Sequence, residues 1–272
     1  MRLLSSIWLR GIVLFLLGLL LVVGFHHWQM SAVPQSATAE AQPPLLEPLP
    51  QDPVIQVYFN HAQSAVYTDP YRHFTRPGDD LEQMVVETIA SAQTSIDVAV
   101  HELTLPYVAQ ALVAKHRAGV RVRIIIENTY RRSLSQLNQA EVQGLSEREQ
   151  HKYSEYLQLV DTNQDGSLTR EEIHQNDALV MLQSAQVPLI DDTADGSKGS
   201  DLMHHKFLVI DGRVVIVGSA NLTISDVHGD FSNPASQGNA NHLLKIHSPA
   251  LAQSFTQEFN LMWGDGVGGK PD

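Results

Sequence analysis

Apolar positions along this chain recur with two periods, and the switches between them mark out the elements. In residues 78–92, Leu81, Val85 and Ile89 fall at every fourth position, which predicts a helix buried along one stripe. Residues 95–101 (Ser-Ile-Asp-Val-Ala-Val-His) then read as a strand and 105–116 as a second helix. After a stop at Gly119, residues 120–127 (Val-Arg-Val-Arg-Ile-Ile-Ile-Glu) read as a second strand, completing a βαβ unit. A further helix is predicted over 178–185 and a strand over 187–190. The runs 204–210 and 213–218 predict a hairpin turning at Asp211-Gly212. Residues 243–247 form a last strand, and Ser248-Pro249 caps a closing helix to Trp263 that turns Leu251, Phe255 and Phe259 inward. The expected fold class is α/β, a mixed, largely parallel sheet flanked by helices.

Strand geometry gives the hairpin its chemical interest. Side chains two apart share a face, so His204 and Lys206 point together while His205 and Phe207 point away. Ser219 and Asn221 stand two apart just past the partner strand. An imidazole, an ammonium, a hydroxyl and an amide gathered there suit attack on phosphorus. A neutral histidine can add to a phosphodiester as a phosphohistidine, and a lysine with hydrogen-bond donors can hold the non-bridging oxygens. Ligand sites gather at strand ends in such sheets, where Glu102, Asn128, Arg131 and Arg132 also stand. Glu102 is a candidate to orient a histidine, and the two arginines are candidates for a phosphate or head group.

The pattern His-x-Lys-x-x-x-x-Asp followed by Gly-Ser-x-Asn, within residues 203–223, resembles the HKD signature of the phospholipase D superfamily. A weaker resemblance extends over about residues 53–264. It implies a phosphodiester hydrolase with His204 as nucleophile, Lys206, Ser219 and Asn221 as phosphate ligands, and Asp211 in support. Small members of the family carry a downstream Asn-x-Glu-Asn whose glutamate orients the histidine. The matching run here is Asn239-Ala240-Asn241-His242, with Asn241 in the glutamate position. An asparagine carbonyl can accept from an imidazole N–H but does not stabilise the cation as a carboxylate does.

The chemistry also needs a second proton carrier, because the leaving alkoxide must be protonated and a later water deprotonated. This chain has one copy of the motif, whereas larger members of the family have two. The expectation is a two-fold homodimer whose facing His204 side chains share one site. The alternative is a monomer that uses another histidine, such as His101 or His242.

The chain's start reads differently from its body. Arg2 and Arg10 accompany an apolar run over residues 7–25 that contains no acid and is just long enough to span a bilayer. Residues 1–30 are therefore expected to be a signal anchor, a transmembrane helix with its positive end in the cytoplasm. Residues 31–53, with Pro34, Pro43, Pro44, Pro48 and Pro53, form an extended linker. That leaves 54–272 as the catalytic domain on the exported side, periplasmic or extracellular. Cleavage near Ala37-Thr38-Ala39 would instead release it as a secreted protein. The chain has no cysteine, so no disulfide contributes to the fold.

The net charge of -12 is unevenly spread: residues 141–201 hold 13 acids and 4 bases. Most of the acidity is thus one insertion, placed at 141–185, and the rest lacks the broad basic stripe of a general nucleic-acid binder. Within it, residues 161–172 (Asp-Thr-Asn-Gln-Asp-Gly-Ser-Leu-Thr-Arg-Glu-Glu) fill every key position of a calcium loop of the EF-hand family. Oxygens would come from Asp161, Asn163, Asp165, the Ser167 carbonyl, Thr169 through water, and a bidentate Glu172, with Gly166 at the sharp turn. Helices are expected on either side, over 146–160 and 170–185. The Ca2+ would be structural or regulatory, since the histidine chemistry needs no metal.

These readings point to a phospholipase D-type phosphodiesterase, with a phospholipid favoured because the anchor holds the site near lipid head groups. The rivals are an endonuclease acting on DNA or RNA with the same site, and a calcium-binding envelope protein on a weakened catalytic scaffold.

Overall fold

The computed structural model describes residues 46–48, 50–193, 202–231, 233 and 235–267. The expected signal anchor and most of the linker lie outside them. Among the described residues no helix is long and apolar enough to cross a membrane.

The first elements are strand β1 (Ile55–Phe59), a small hairpin of β2 (Val66–Thr68) and β3 (Thr75–Pro77), and helix α1 (Leu81–Ser91). The Asp80 side chain caps α1 by accepting from the Gln83 N–H. Strand β4 (Ser95–Val100), helix α2 (Pro106–Arg117) and strand β5 (Arg121–Ile126) form the expected βαβ unit. Gly119, at φ +86°, supplies the left-handed residue that ends α2. Next come α3 (Gln139–Gln143), α4 (Glu147–Val160), α5 (Arg170–Asn176), α6 (Ala178–Ser184) and β6 (Leu189–Asp191). The single helix expected over 170–185 is two helices. Asp177 ends the first and caps the second, accepting from the Val180 N–H at 3.1 Å, as aspartates do when they compete with helical bonding.

Strands β7 (Lys206–Ile210) and β8 (Val214–Gly218) form the predicted hairpin. Its turn residues Asp211 and Gly212 have φ of 52° and 60°, the positive pair that a tight hairpin turn requires. Helix α7 (Ile224–Val227), strand β9 (His242–His247) and helix α8 (Pro249–Trp263) close the fold, with the Ser248 side chain capping α8.

The main sheet has seven strands in the order β1-β9-β8-β7-β4-β5-β6. It is mixed but not largely parallel. Only β4–β5 and β5–β6 run parallel, and every other neighbouring pair is antiparallel. The parallel character of the βαβ unit stops at β4 because β7 enters the sheet from the opposite end, and the two-residue turn then forces β8 to reverse.

The sheet is covered on both faces. Val98, Val100, Ile124, Ile126, Leu208, Ile210 and Ile216 pack with α1, α2 and α6. Ala99, Ile125, Phe207, Val209 and Val215 pack on the other face with Ala252 and Phe259 of α8. Strict alternation along β7 thus assigns Lys206 to the first face and Phe207 to the second.

Candidate active site

The switch from parallel to antiparallel at β4 builds the site. It brings the C-terminal end of β4 beside the N-terminal end of β7, where the His101 N–H donates to the His205 carbonyl at 2.9 Å. The end of β8 and the start of β9 complete the rim.

His204 lies just before β7 and is exposed, while Lys206, the first residue of the strand, is buried. The Lys206 ammonium donates to the His204 carbonyl at 3.1 Å. Desolvation, then the Lys206 and His101 charges, hold the His204 pKa below the ordinary histidine value against an opposing pull from Asp226. These surroundings favour the neutral imidazole, the form that can attack phosphorus. Burial also lowers the Lys206 pKa, against the opposing fields of Asp226 and Glu102. His205 points away as expected: its ring packs edge-on against Phe207 at 5.4 Å and its Nε2 lies 3.7 Å from Glu258.

Ser219 and Asn221 follow β8. A side chain at Gly218 would collide with the His242 carbonyl, which explains the glycine of Gly-Ser-x-Asn. The Ser219 N–H donates to that carbonyl at 3.0 Å, and its hydroxyl donates to the Asn241 side chain at 2.9 Å. Asn221 is held by its backbone, whose N–H donates to Asp226 at 2.9 Å, while its side-chain oxygen is buried without a hydrogen-bond partner.

Three expected supporting residues have other work. Asn241 orients Ser219 rather than a histidine, and its amide nitrogen donates to the Asp226 carbonyl at 3.0 Å. Asp211 sits at the far end of β7 from His204, where its carboxylate accepts from the N–H groups of Gln93, Thr94 and Ser95. Burial alone would raise its pKa, but these bonds outweigh it and bring the value to about 2. Asp211 therefore clamps the hairpin turn to the start of β4. Glu102 pairs with Lys152 of α4 at 2.8 Å. Arg131 and Arg132 are likewise ion-paired, with Asp191 and Glu141.

Sequence reasoning missed Asp226, Lys152 and the place of His101. Asp226 of α7 is the buried carboxylate whose charge acts on both His204 and Lys206. It reads in the sequence as one more acid in a loop, with its position five residues past Asn221 as the only hint. His101 is buried, packs against His204 with ring centroids 4.8 Å apart, and bonds the Met203 carbonyl through Nδ1 at 3.0 Å. Since a carbonyl only accepts, Nδ1 carries the proton. Tyr130 backs His101 at another 4.8 Å, and Lys152 lies over the Tyr130 ring at 4.5 Å.

The loop between α4 and α5 takes the turn its sequence demands, with Gln164 at φ 58° and Gly166 at φ 82°. Asp161 accepts from the N–H groups of Asp165 and Gly166, Asn163 from that of Asp165, and Asp165 from that of Ser167. Glu172 reaches back across the loop to the Asn163 N–H and bonds both the N–H and hydroxyl of Thr169. The donors are of the right kind and order for a hard cation. Among the described residues, however, no three acid or histidine side chains converge closely enough to hold a metal ion.

The chain is similar to known proteins. A family model described as "Cardiolipin synthase, PLD-like domain" matches residues 85–263. The mitochondrial cardiolipin hydrolase of Xenopus tropicalis is 27% identical over 172 residues, which are 63% of this chain and 56% of that protein. The mitochondrial cardiolipin hydrolase of Homo sapiens is 22% identical over 186 residues, 68% of this chain and 52% of that protein. The chain thus spans little more than half the length of these curated relatives. Among solved structures, Nuc from Salmonella typhimurium, a phospholipase D family member, aligns over 78% of this chain and 95% of its own at 21% identity, with a TM-score of 0.43. NucT from Helicobacter pylori aligns over 79% and 99% at 17% identity, with a TM-score of 0.42.

Proposed function

The chain belongs to the cardiolipin synthase, PLD-like domain family, and from that premise we propose that it hydrolyses a phosphodiester through a covalent phosphohistidine at His204, with a phospholipid as substrate. The observation that carries this reading is the exposed His204 imidazole, packed on His101, with the buried Lys206 ammonium bonded to its carbonyl. The imidazole adds to phosphorus, the bond to the leaving alcohol breaks, and the departing oxygen takes a proton. Water then attacks the phosphohistidine, gives up its proton and frees His204. Lys206 and the Asn221 amide stabilise the charge that grows on the non-bridging oxygens, joined by the Ser219 hydroxyl when it turns from Asn241 to the substrate. His101 is buried, with its Nδ1 committed to the Met203 carbonyl. The proton carrier is therefore assigned to His204 of a second copy, in a two-fold homodimer.

A lipid is preferred to a nucleic acid because two features agree: similarity to proteins named cardiolipin hydrolases, and the absence of a basic stripe from an acidic chain. The anchor read in residues 1–30 would hold the domain at a membrane surface on the exported side. The test is hydrolysis of labelled cardiolipin or phosphatidylglycerol vesicles and of single-stranded DNA, side by side, with His204→Ala as control. Lipid turnover lost in the variant is the expected result. Turnover of DNA alone would replace the lipid by a nucleic acid, and turnover of neither would leave a calcium-binding scaffold.

A further inference from the structure

The insertion does more than carry an acidic loop. Its helix α4, with the turns that precede it, walls a cavity of about 520 Å³ against the C-terminal ends of β4 and β5, within the size range of ligand sites. Leu103, Leu134, Leu137, Leu145 and Leu179 line it. The cavity begins at Glu102 and Tyr130, and two ring contacts of 4.8 Å each lead from Tyr130 through His101 to His204. The edge of the cavity at Tyr130 thus lies two ring contacts from the nucleophile, near enough for one molecule to reach both.

Most of the polar groups of the lining are already engaged, and Arg148 is exposed. Lys152 is paired with Glu102 and Arg132 with Glu141. Asp177 accepts from the hydroxyls of Tyr156, Ser133 and Ser135. The aromatic rings are also engaged. Tyr130 carries Lys152 on its face and meets His101, and Tyr156 stacks on Tyr153. A nucleobase would need a free ring to stack on or free donors and acceptors to pair with. What the wall offers instead is leucine.

We propose that this cavity is a subsite for one fatty acyl chain of a phospholipid whose phosphate is at His204, so that the insertion selects lipid over other phosphodiesters. The proposal rests on the phosphodiesterase reading of His204. Leu137 and Leu145 are only partly buried, so an indole can replace either side chain and occupy the cavity with little disturbance of the core.

The experiment measures the 272-residue chain and its Leu137→Trp and Leu145→Trp variants on three soluble diesters: dihexanoyl phosphatidylglycerol, dibutyryl phosphatidylglycerol and bis(p-nitrophenyl) phosphate. Binding of cis-parinaric acid is followed by fluorescence on the same samples. A selective loss of about tenfold or more in kcat/KM for the hexanoyl lipid is expected, with bis(p-nitrophenyl) phosphate turnover unchanged and parinaric acid binding weakened. Equal change on all three substrates, or no change with the hexanoyl lipid, overturns the subsite while leaving the phosphodiesterase reading intact. A parent chain inactive on every diester defeats that reading instead, and parinaric acid binding then decides the cavity alone: binding lost in both variants upholds it, and absent or unaltered binding overturns it. Single-stranded DNA hydrolysis weakened by the indoles, with lipid spared, would make the cavity a base pocket and overturn the proposal.

Discussion

His204 owes its reactivity to the charges packed around it. The Lys206 ammonium and His101 lower its pKa after desolvation has done so, and Asp226 opposes them. Removing a cation that disfavours imidazolium must raise the pKa, so Lys206→Met should move the His204 titration upward, as read by NMR of its ring protons. Asp226→Asn should move it downward. Because the nucleophile works only when neutral, the acid limb of kcat/KM in the parent should lie below the ordinary histidine pKa, with activity falling as pH drops through it. His205→Ala, on the opposite face, should keep both the limb and most of the rate. A His204 titration unmoved by Lys206→Met would show that the two groups do not share the site. The sequence makes His204, Lys206, Ser219 and Asn221 legible because strand alternation and the motif agree on them. It does not reveal Asp226 or the place of His101, since nothing local says which loop acid or strand-end histidine the antiparallel pairing of β4 and β7 will bring to the nucleophile.

At the scale of elements, the helices α1, α2, α6 and α8 are legible because an apolar stripe coincides in each with a boundary signal, a side-chain cap in α1, α6 and α8 and the Pro106 and Gly119 ends in α2. Strand β1 and the β2–β3 hairpin are not. They are short, lie at an edge or in a separate ribbon, and show little of the burial that makes a strand readable. The sheet's direction is equally hidden, because the βαβ period speaks only for β4 and β5. The calcium loop is the element whose sequence promises most beyond its present contacts. Asp161, Asp165 and Glu172 now satisfy backbone amides, and bound Ca2+ would draw them together and relieve their mutual repulsion. Adding millimolar Ca2+ should therefore raise the melting temperature, and chelation or Glu172→Gln should abolish the rise. The chemical step should survive chelation, since its nucleophile and acid are imidazoles. Loss of turnover on chelation with an unchanged melting profile would make the metal catalytic and reverse this division of labour.

For the whole molecule, the question is how one chain provides a nucleophile and a separate acid. The fold buries His101, commits its Nδ1 to the Met203 carbonyl and packs Tyr130 against it, which suits a residue that positions His204. His242 is turned to Ser219, with its Nδ1 3.3 Å from the hydroxyl. Exposed His204 is the imidazole best able to face a second copy of itself. In a homodimer with one shared site, a chain paired with a His204→Ala partner loses the site altogether. Mixing a fixed amount of parent with a growing excess of the variant should then depress activity, toward zero once every parent chain is in a mixed dimer, after time for exchange. A monomer would keep constant activity per parent chain at any excess. The sedimentation coefficient gives the independent check, because the mixing effect should vanish at concentrations where the dimer dissociates. Activity that persists there, proportional to parent chain alone, would return the second proton transfer to a histidine of the same chain and leave His101 as the one already in contact with the nucleophile.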